Sequence, residues 1–367
     1  MTVPALAAAL LWRWTEAWAV GVIGAVLIVL AIPFLFGAHA YRVRIELPTT
    51  RVIAGDALPV TVAVHNAASR PAMPLVAELP VGEEVFEVAV PFLAPDQSFA
   101  QDPEIDAQRR GVLTVGPLTI ARRDPVGLFR KEVTWPETHR VYVHPKTVRL
   151  PAHTTGLLRD LEGAPLGKLT DSDLAFHAIR EYQPGDERRH IHWNSTAKTG
   201  AFMVRQFEES QSARVAVLFD PHESAYATAG EFELGVSIAA SVGLQAVIDR
   251  RERYVYADRE LPSRNGEGLL DSFAALRAVS AAGSFEATVR ALARSRADLS
   301  MVMLVTGSET SLHTLQRCAA LLPPNTVTVG VRAELHGDPK IMRQDRTAFL
   351  TVGALEDLPQ LLIRGAL

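Results

Sequence analysis

The chain has very little cysteine: Cys318 is the only one among 367 residues. One cysteine excludes an intramolecular disulfide, which fits a reducing compartment. Its spacing with Leu315 and Leu321 is helical, which predicts a small buried core residue. Positive charge is also not in excess, because the formal net charge is −4. Without such an excess, and without a groove-reading motif, the chain is not predicted to bind nucleic acid.

Two common catalytic motifs are missing as well. The sequence contains neither a phosphate-binding Gly-x-x-x-x-Gly-Lys loop nor a Gly-x-Ser-x-Gly nucleophile elbow. It shows no internal repeat and no low-complexity tract. What it does have is length and 48% hydrophobic residues, enough for two folded units with cores of their own after an N-terminal anchor.

A long uncharged segment predicts a membrane anchor within residues 1–40. No charged residue occurs from Ala17 to Ala38, and a helix of this length spans about 33 Å. Tryptophans cluster at its start, as in membrane interfaces: Trp12, Trp14 and Trp18. A shorter apolar run, 3–12, is a candidate partial first helix. The alternative is a secretory signal peptide, with cleavage near Ala38–Ala40, although its apolar stretch would be unusually long.

Cations after the span set the expected orientation. Arg42, Arg44 and Arg51 follow the uncharged segment, whereas Arg13 and Glu16 precede it. The positive-inside rule therefore predicts a cell-membrane protein whose soluble body faces the cytoplasm.

Residues 42–150 are predicted to form an antiparallel β-sandwich of immunoglobulin-like type. Residues 58–65 alternate between apolar and polar side chains, and glycine, proline, asparagine and aspartate punctuate the gaps. Further strand candidates are 85–91, 111–120 and 141–144. Short strands at this spacing are typical of a sandwich. No residue pattern in this region resembles a catalytic site.

Residues 212–367 change to an α/β pattern. Apolar strand candidates alternate with helical segments, which predicts a parallel, doubly wound sheet with crevices at the strand carboxyl ends. The strand candidates are 214–220, 254–256, 299–306, 326–331 and 347–352, and the helical segments include 231–251, 311–321 and 355–363.

Between these regions, residues 151–211 form a charged connector that resembles a known family. It contains Arg180-Glu-Tyr-Gln-Pro-Gly-Asp186, Arg189-His-Ile-His-Trp193 and Val204-Arg-Gln-Phe-Glu208. Their order and spacing resemble the signature of the bacterial domain of unknown function 58 (DUF58) family. The signature positions are Arg180, Glu181, Tyr182, Pro184, Gly185, Asp186, Arg189, Ile191, Trp193, Arg205, Phe207 and Glu208.

The resemblance implies a multidomain α+β chain: membrane anchor, β domain, signature and a von Willebrand factor A-like α/β domain. It implies no established catalytic activity. It also implies partnership with a MoxR-type AAA+ ATPase and an association with transglutaminase-like membrane proteins. On this basis the chain is interpreted as a non-enzymatic, membrane-tethered adaptor.

The residues themselves leave other interpretations open. Balanced arginines and carboxylates fasten a connector to a domain as readily as they bind a partner. A metal-dependent enzyme is the second hypothesis, with His190 and His192 on one strand face beside Asp186 or His177. An extracytoplasmic adhesion module is the third, and it requires the opposite topology.

A degenerate magnesium site is the last candidate. Von Willebrand factor A-like domains hold Mg²⁺ through Asp-x-Ser-x-Ser at a strand end, and here the corresponding segment is Asp220-Pro-His-Glu-Ser224. Asp220 and Ser224 match, but His222 replaces the middle serine, and imidazole is a poor Mg²⁺ ligand. An expected later aspartate is missing after Thr306. We therefore expect no cofactor and no working metal site, with Asp220 capping the strand end instead.

Overall fold

The computed structural model describes residues 15–35, 41–123, 130–150, 174–183, 191–209, 214–280, 283–296, 298–344 and 347–366. The chain is a mixed α/β protein with several sheets and, in these ranges, seven α-helices. It divides into two compact units, Met1–Pro145 and Lys146–Leu367.

The first helix, α1 (Thr15–Leu35), occupies most of the segment in which the sequence predicts a span. Side chains are described from Glu16 to Leu30, and this stretch is a short apolar helix. Large apolar side chains on it are exposed: Trp18, Val20, Val22, Ile23, Val26, Val29 and Leu30. The suggested partial helix at 3–12 lies outside the described residues.

Among the described residues, ten strands form the rest of the first unit. They are β1 (Tyr41–Glu46), β2 (Arg51–Ile53), β3 (Thr61–Asn66), β4 (Leu75–Val81), β5 (Glu84–Val90), β6 (Ser98–Gln101), β7 (Gly111–Val115), β8 (Leu118–Arg123), β9 (Arg130–Trp135) and β10 (His139–His144). One sheet has the order β1-β3-β6; the other has the order β2-β10-β7-β4-β8-β9, with β5 pairing to β4. All pairs are antiparallel except β2 with β10.

Alternating side chains from both sheets form one core. In β4 and β3, every second residue is buried, and Val62, Val64, Ala77 and Leu79 are completely enclosed. Such alternation buries one face of each sheet, as the predicted sandwich requires. The single strand predicted at 111–120 is wrong, because Gly116 has a φ of +89° and separates β7 from β8.

The described part of the second unit includes a small two-stranded sheet to which several signature residues belong. Strand β11 (Leu174–Glu181) pairs antiparallel with β12 (Met203–Glu209), and the short helix α2 (Trp193–Thr199) precedes β12. Thus the connector, predicted to have few regular elements, has two strands and a helix. Gly200 ends α2 in the left-handed region (φ +75°) and donates its N–H to the Thr196 carbonyl.

The larger sheet of this unit has six strands. They are β13 (Val215–Phe219), β14 (Arg253–Tyr256), β15 (Met301–Gly307), β16 (Val327–Ala333), β17 (Lys340–Gln344) and β18 (Thr347–Val352), in the order β14-β13-β15-β16-β18-β17. Neighbouring strands are parallel apart from the edge strand β17, which is antiparallel to β18. Strands β13 and β15 are buried along their whole length, as expected for a sheet covered on both faces.

Helices cover both faces of this sheet. One core contains side chains from α3 (Ala229–Ile248), α4 (Gly266–Ala275) and α7 (Leu358–Ala366). The opposite core contains side chains from α5 (Phe285–Ser295) and α6 (Leu312–Ala320). Among the described residues, α3 is the helix long and apolar enough to cross a membrane, and 67% of its most apolar stretch is buried inside the protein.

Cys318 lies in α6 and is completely buried, which confirms its predicted place in the core. Burial, with a smaller contribution from Glu286, raises the pKa of its thiol to about 11. We therefore expect the thiol of the folded chain at pH 8 to react with a disulfide reagent at least ~100-fold more slowly than an exposed thiol. The same chain in guanidinium is the control, and equal rates in both states would contradict this placement.

Candidate functional site

The three signature segments converge on the β11–β12 sheet. Arg180 lies opposite Val204, Ile179 opposite Arg205, and Phe176 opposite Phe207. Ile191 forms an additional antiparallel bridge with Val204, whose side chain is buried. The backbone thus brings the first, second and third segments together, although they are separated along the chain.

Two aromatic side chains of this region are unusually exposed. Trp193 is 64% exposed and Phe202 is 56% exposed, and their ring centroids lie 6.4 Å apart in an edge-on arrangement. The ring centroid of Tyr182, which is half-buried, lies 6.3 Å from that of Phe202, also in an edge-on arrangement. We call these three residues the aromatic ridge. Only Trp193 and Tyr182 are signature positions; Phe202 lies outside the signature and was not predicted to belong to the site.

Backbone hydrogen bonds hold the ridge in place. The Tyr182 N–H donates to the Phe202 carbonyl at 2.8 Å, and the His192 N–H donates to the Met203 carbonyl at 2.7 Å. The Met203 N–H in turn donates to Thr196 Oγ1 at 3.0 Å. These bonds join β11, α2 and β12 around the aromatic rings.

The proposed histidine cluster has a different geometry from the one expected. His192 is the residue before α2, with φ −91° and ψ 88°, and it is not part of a continuous strand. Its Nδ1 atom lies 2.7 Å from Ser195 Oγ. Asp186 and His190 lie outside the described residues, as do Pro184, Gly185 and Arg189. Within the described ranges, no group of three or more histidine, cysteine, aspartate or glutamate residues is arranged to hold a metal.

A second polar site lies where β13 and β15 end side by side. Asp220 is 4% exposed, and its Oδ1 atom accepts the backbone N–H of His222 at 3.1 Å and contacts His222 Nδ1 at 2.7 Å. Its Oδ2 atom accepts the hydroxyl of Thr306 at 3.1 Å. Asp220 therefore joins the turn after β13 to the end of β15, which is the capping role expected from the sequence.

Glu231 extends this site at the start of α3. Its buried carboxylate accepts the Ala227 N–H at 2.9 Å and the Ser308 hydroxyl at 2.7 Å. Arg332 donates to the Ser308 carbonyl at 2.7 Å. Both buried carboxylates are thus bonded to groups within the protein, as buried charges generally must be. Glu231 was predicted only as the first residue of a helical segment and not as a residue of this site.

Ser224, the other candidate ligand, is exposed on a short 3₁₀ turn, Glu223–Ala225. Glu309 stands near the position of the expected aspartate and is also exposed. The hydrogen bonds of Asp220 lead to His222 and Thr306 rather than to Ser224. Hydrogen bonds with His222 and Thr306 therefore satisfy the Asp220 carboxylate within the protein.

Tyr226 also belongs to this site, because its hydroxyl donates to the Asp220 backbone carbonyl at 2.7 Å. Burial, reinforced by Asp220 and Glu231, raises the pKa of Tyr226 well above its ordinary value. Below pH ~10 the tyrosine is protonated in both states and the full stability is present; above it the unfolded tyrosine ionises first, so stability falls as pH rises.

Tyr226→Phe is therefore expected to cost about 1 kcal/mol at neutral pH, through the lost hydrogen bond. Above pH 10, the unfolding free energy of the variant should also fall less steeply with pH than that of the parent, by up to ~1.4 kcal/mol per pH unit. Urea unfolding at several pH values measures both effects. Identical alkaline slopes in the two chains would contradict the buried, protonated state of Tyr226.

Comparison with known proteins agrees with the signature. The profile of the family described as protein of unknown function DUF58 matches residues 178–313. The uncharacterized protein YeaD of Bacillus subtilis is 26% identical over 219 residues, covering 57% of this chain and 53% of YeaD. The chain thus spans about half the length of this curated relative. The chain is therefore similar to DUF58 proteins over residues 178–313, the part that includes most of the signature.

Solved structures give only distant likenesses. An ApaA protein of Bordetella pertussis is 19% identical, with a TM-score of 0.21; the match covers 28% of this chain and 93% of the ApaA chain. The sporulation control protein Spo0M of Bacillus subtilis is 13% identical and covers 34% of this chain and 56% of its own, also with a TM-score of 0.21. Scores this low carry no argument about fold or function.

Proposed function

We propose that this protein is a non-enzymatic, membrane-tethered adaptor that binds a MoxR-type AAA+ ATPase through the aromatic ridge. The observation that carries the proposal is the exposure of Trp193 and Phe202 within the signature. Large aromatic side chains are the commonest anchors of protein interfaces, and exposing them to water has a free-energy cost unless a partner covers them.

The rigidity of the ridge supports the same role. Trp193 begins α2, and Tyr182 and Phe202 lie next to the ends of β11 and β12; backbone hydrogen bonds join these elements, so little backbone freedom is lost when a partner binds. A preorganised surface retains more of its contact energy as affinity. The choice of a MoxR-type ATPase, and of a transglutaminase-like protein in the same assembly, rests on the resemblance to the family.

Helix α1 is the proposed membrane tether. It has no charged residue after Glu16, and its apolar side chains, such as Ile23 and Leu30, face outward. Helix α3 is similarly apolar, but its side chains pack in the core of the α/β unit. The cations that follow α1 support a cytoplasmic position for both units.

The α/β unit is proposed to be a von Willebrand factor A-like domain. Its strand order changes direction between β13 and β15, and Asp220 lies at this switch point. Crevices at such points are common binding places in open α/β sheets. We propose that any contact made there uses the crevice itself, without Mg²⁺.

The experiment that tests the proposal is a pull-down with the full chain in detergent and a purified MoxR-type ATPase, with and without ATP. Retention of the ATPase in the presence of EDTA is expected. A folded, full-length chain that retains no ATPase under any nucleotide condition would remove the adaptor role. Retention that disappears with EDTA in the absence of nucleotide would instead restore a metal role for Asp220.

A further inference from the structure

A second exposed apolar surface lies on the β unit, far from the signature in sequence. Ala72 and Leu93 form an antiparallel bridge and are both buried. Met73 and Phe92, the chain neighbours of this bridged pair, are 50% and 52% exposed. The bridge therefore brings two large exposed apolar side chains into neighbouring positions on the unit.

The segments around this pair are rich in proline. Pro71 and Pro74 flank Met73, whereas Pro91 and Pro95 flank Phe92. Pro71, Pro74, Pro91 and Pro95 are exposed. Proline has no backbone N–H, so these segments have fewer donors that would lose water when the surface is covered by an apolar medium. We call Met73, Phe92 and these four exposed prolines the apolar patch.

The patch lies close to the point at which the chain leaves α1. Tyr41, the first residue of β1, pairs with Asn66 at the end of β3. The buried Asn66 side-chain amide donates to the carbonyls of Arg70, Leu93 and Ala94 at 3.0–3.2 Å. One side chain therefore ties the start of the β unit to both segments of the patch.

Chain length limits how far this region is from the tether. Five residues, 36–40, separate Leu35 from Tyr41, and even a fully extended chain covers only about 20 Å over this distance. That reach is smaller than the headgroup-to-headgroup thickness of a bilayer, about 40 Å. If α1 spans the membrane, the Tyr41 end of the β unit is held near its surface.

The charges near the patch suit an anionic surface. Arg42, beside Tyr41, and Arg70, beside Pro71, are both exposed. The one exposed acid of these segments is Asp96, which lies 3.4 Å from His65. Exposed arginine next to apolar side chains is the composition of surfaces that rest in the headgroup region.

We infer that the apolar patch rests on the lipid surface, inserting Met73 and Phe92 among the headgroups of the leaflet from which the β unit emerges. This inference rests on the proposed tether of α1. It assigns the β unit a second membrane contact, which fixes its orientation relative to the bilayer. Other large exposed apolar residues of the unit, such as Val85, stand apart from the patch.

The test uses single-cysteine labelling of the full chain, which is practicable because the native Cys318 is buried. Ile23→Cys, Met73→Cys and Val85→Cys are each labelled with an environment-sensitive dye. The chains are then reconstituted into vesicles of phosphatidylcholine and phosphatidylglycerol that contain a shallow nitroxide lipid. Val85 is the matched control, because it is 59% exposed on the same hairpin but at its other end.

We expect the label at 73 to lose about twofold more emission than the label at 85, and the label at 23 to be quenched as well. Quenching at 23 with equal, weak quenching at 73 and 85 would overturn the patch while leaving the tether intact. No quenching at 23 would overturn the tether and the patch together. Phe92→Cys repeats the measurement if the variant at 73 does not fold.

Discussion

Replacing both Trp193 and Phe202 by alanine is expected to weaken binding of the proposed AAA+ partner by about 100-fold or more. Central aromatic anchors each contribute about 2 kcal/mol or more to an interface, and each 1.4 kcal/mol is tenfold in affinity. The two rings touch each other, so their effects are expected to be less than additive. The stability of the free chain should change little, because both side chains are more than half exposed.

The measurement is an affinity titration of the purified ATPase against the full chain and its variants in the same detergent. Ile248→Ala is the matched control, since Ile248 is an equally exposed apolar residue, at the end of α3. We expect the control to bind as the parent does. If the double variant binds normally, the ridge is not the docking surface, and the crevice beside Asp220 becomes the next surface to test.

Gly307→Ala is expected to destabilise the α/β unit by about 3 kcal/mol, at the upper end of what overpacking usually costs. Gly307 ends β15 beside the Asp220 site. A Cβ atom there would be 2.3 Å from the Ala225 carbonyl oxygen, with the Tyr226 ring at nearly the same distance. The first contact is with backbone and the second with a buried aromatic ring, so neither neighbour moves cheaply.

Gly230→Ala is the control for this prediction. A Cβ atom at position 230 meets only the mobile end of Leu335 and the hydroxyl of Thr228, and alanine favours the helix in which Gly230 lies. Urea unfolding followed by far-ultraviolet circular dichroism should therefore separate the two variants by at least ~2 kcal/mol. Equal midpoints would show that the turn at Ala225–Tyr226 relaxes easily, and that the strand-end site is not rigid.

The strands of the α/β sheet were predictable from sequence because burial on both faces requires an uninterrupted apolar run. Val215–Phe219 and Met301–Gly307 are such runs, and both form where they were expected. Edge strand β17 was missed for the same reason, because Lys340–Gln344 is mostly exposed and shows no apolar periodicity. Its place is set by pairing with β18, a long-range interaction with no local signal.

Turn chemistry explains the error at 111–120. The apolar alternation continues on both sides of Gly116-Pro117, so periodicity alone predicts one strand. Only the pair of turn residues signals the break, and Gly116 adopts a conformation that other residues avoid. The two halves then pair with different parts of β4, at Val81 and at Val76–Glu78.

The candidate site was predicted by its residues but not by its shape. The charged composition of the signature suggested ion pairing. It did not indicate the strands β11 and β12, because charged residues are unusual in a β-sheet. It directed attention to His190 and His192, whereas the described surface is dominated by Trp193 and Phe202. Phe202 had no recognisable motif, and its importance comes from the fold that places it against Trp193.

The burial of α3 has a consequence for biosynthesis. This helix leaves the ribosome soon after β13, but the strands β15 and β16 that cover it are made much later in the chain. Until then it is a 20-residue apolar segment of a length that the membrane-insertion machinery accepts. If α1 brings the nascent chain to the membrane, as we propose, α3 has two competing fates there, insertion or folding. Glu231 in its first turn and Glu233 just after it oppose insertion while the rest of the sheet is synthesised.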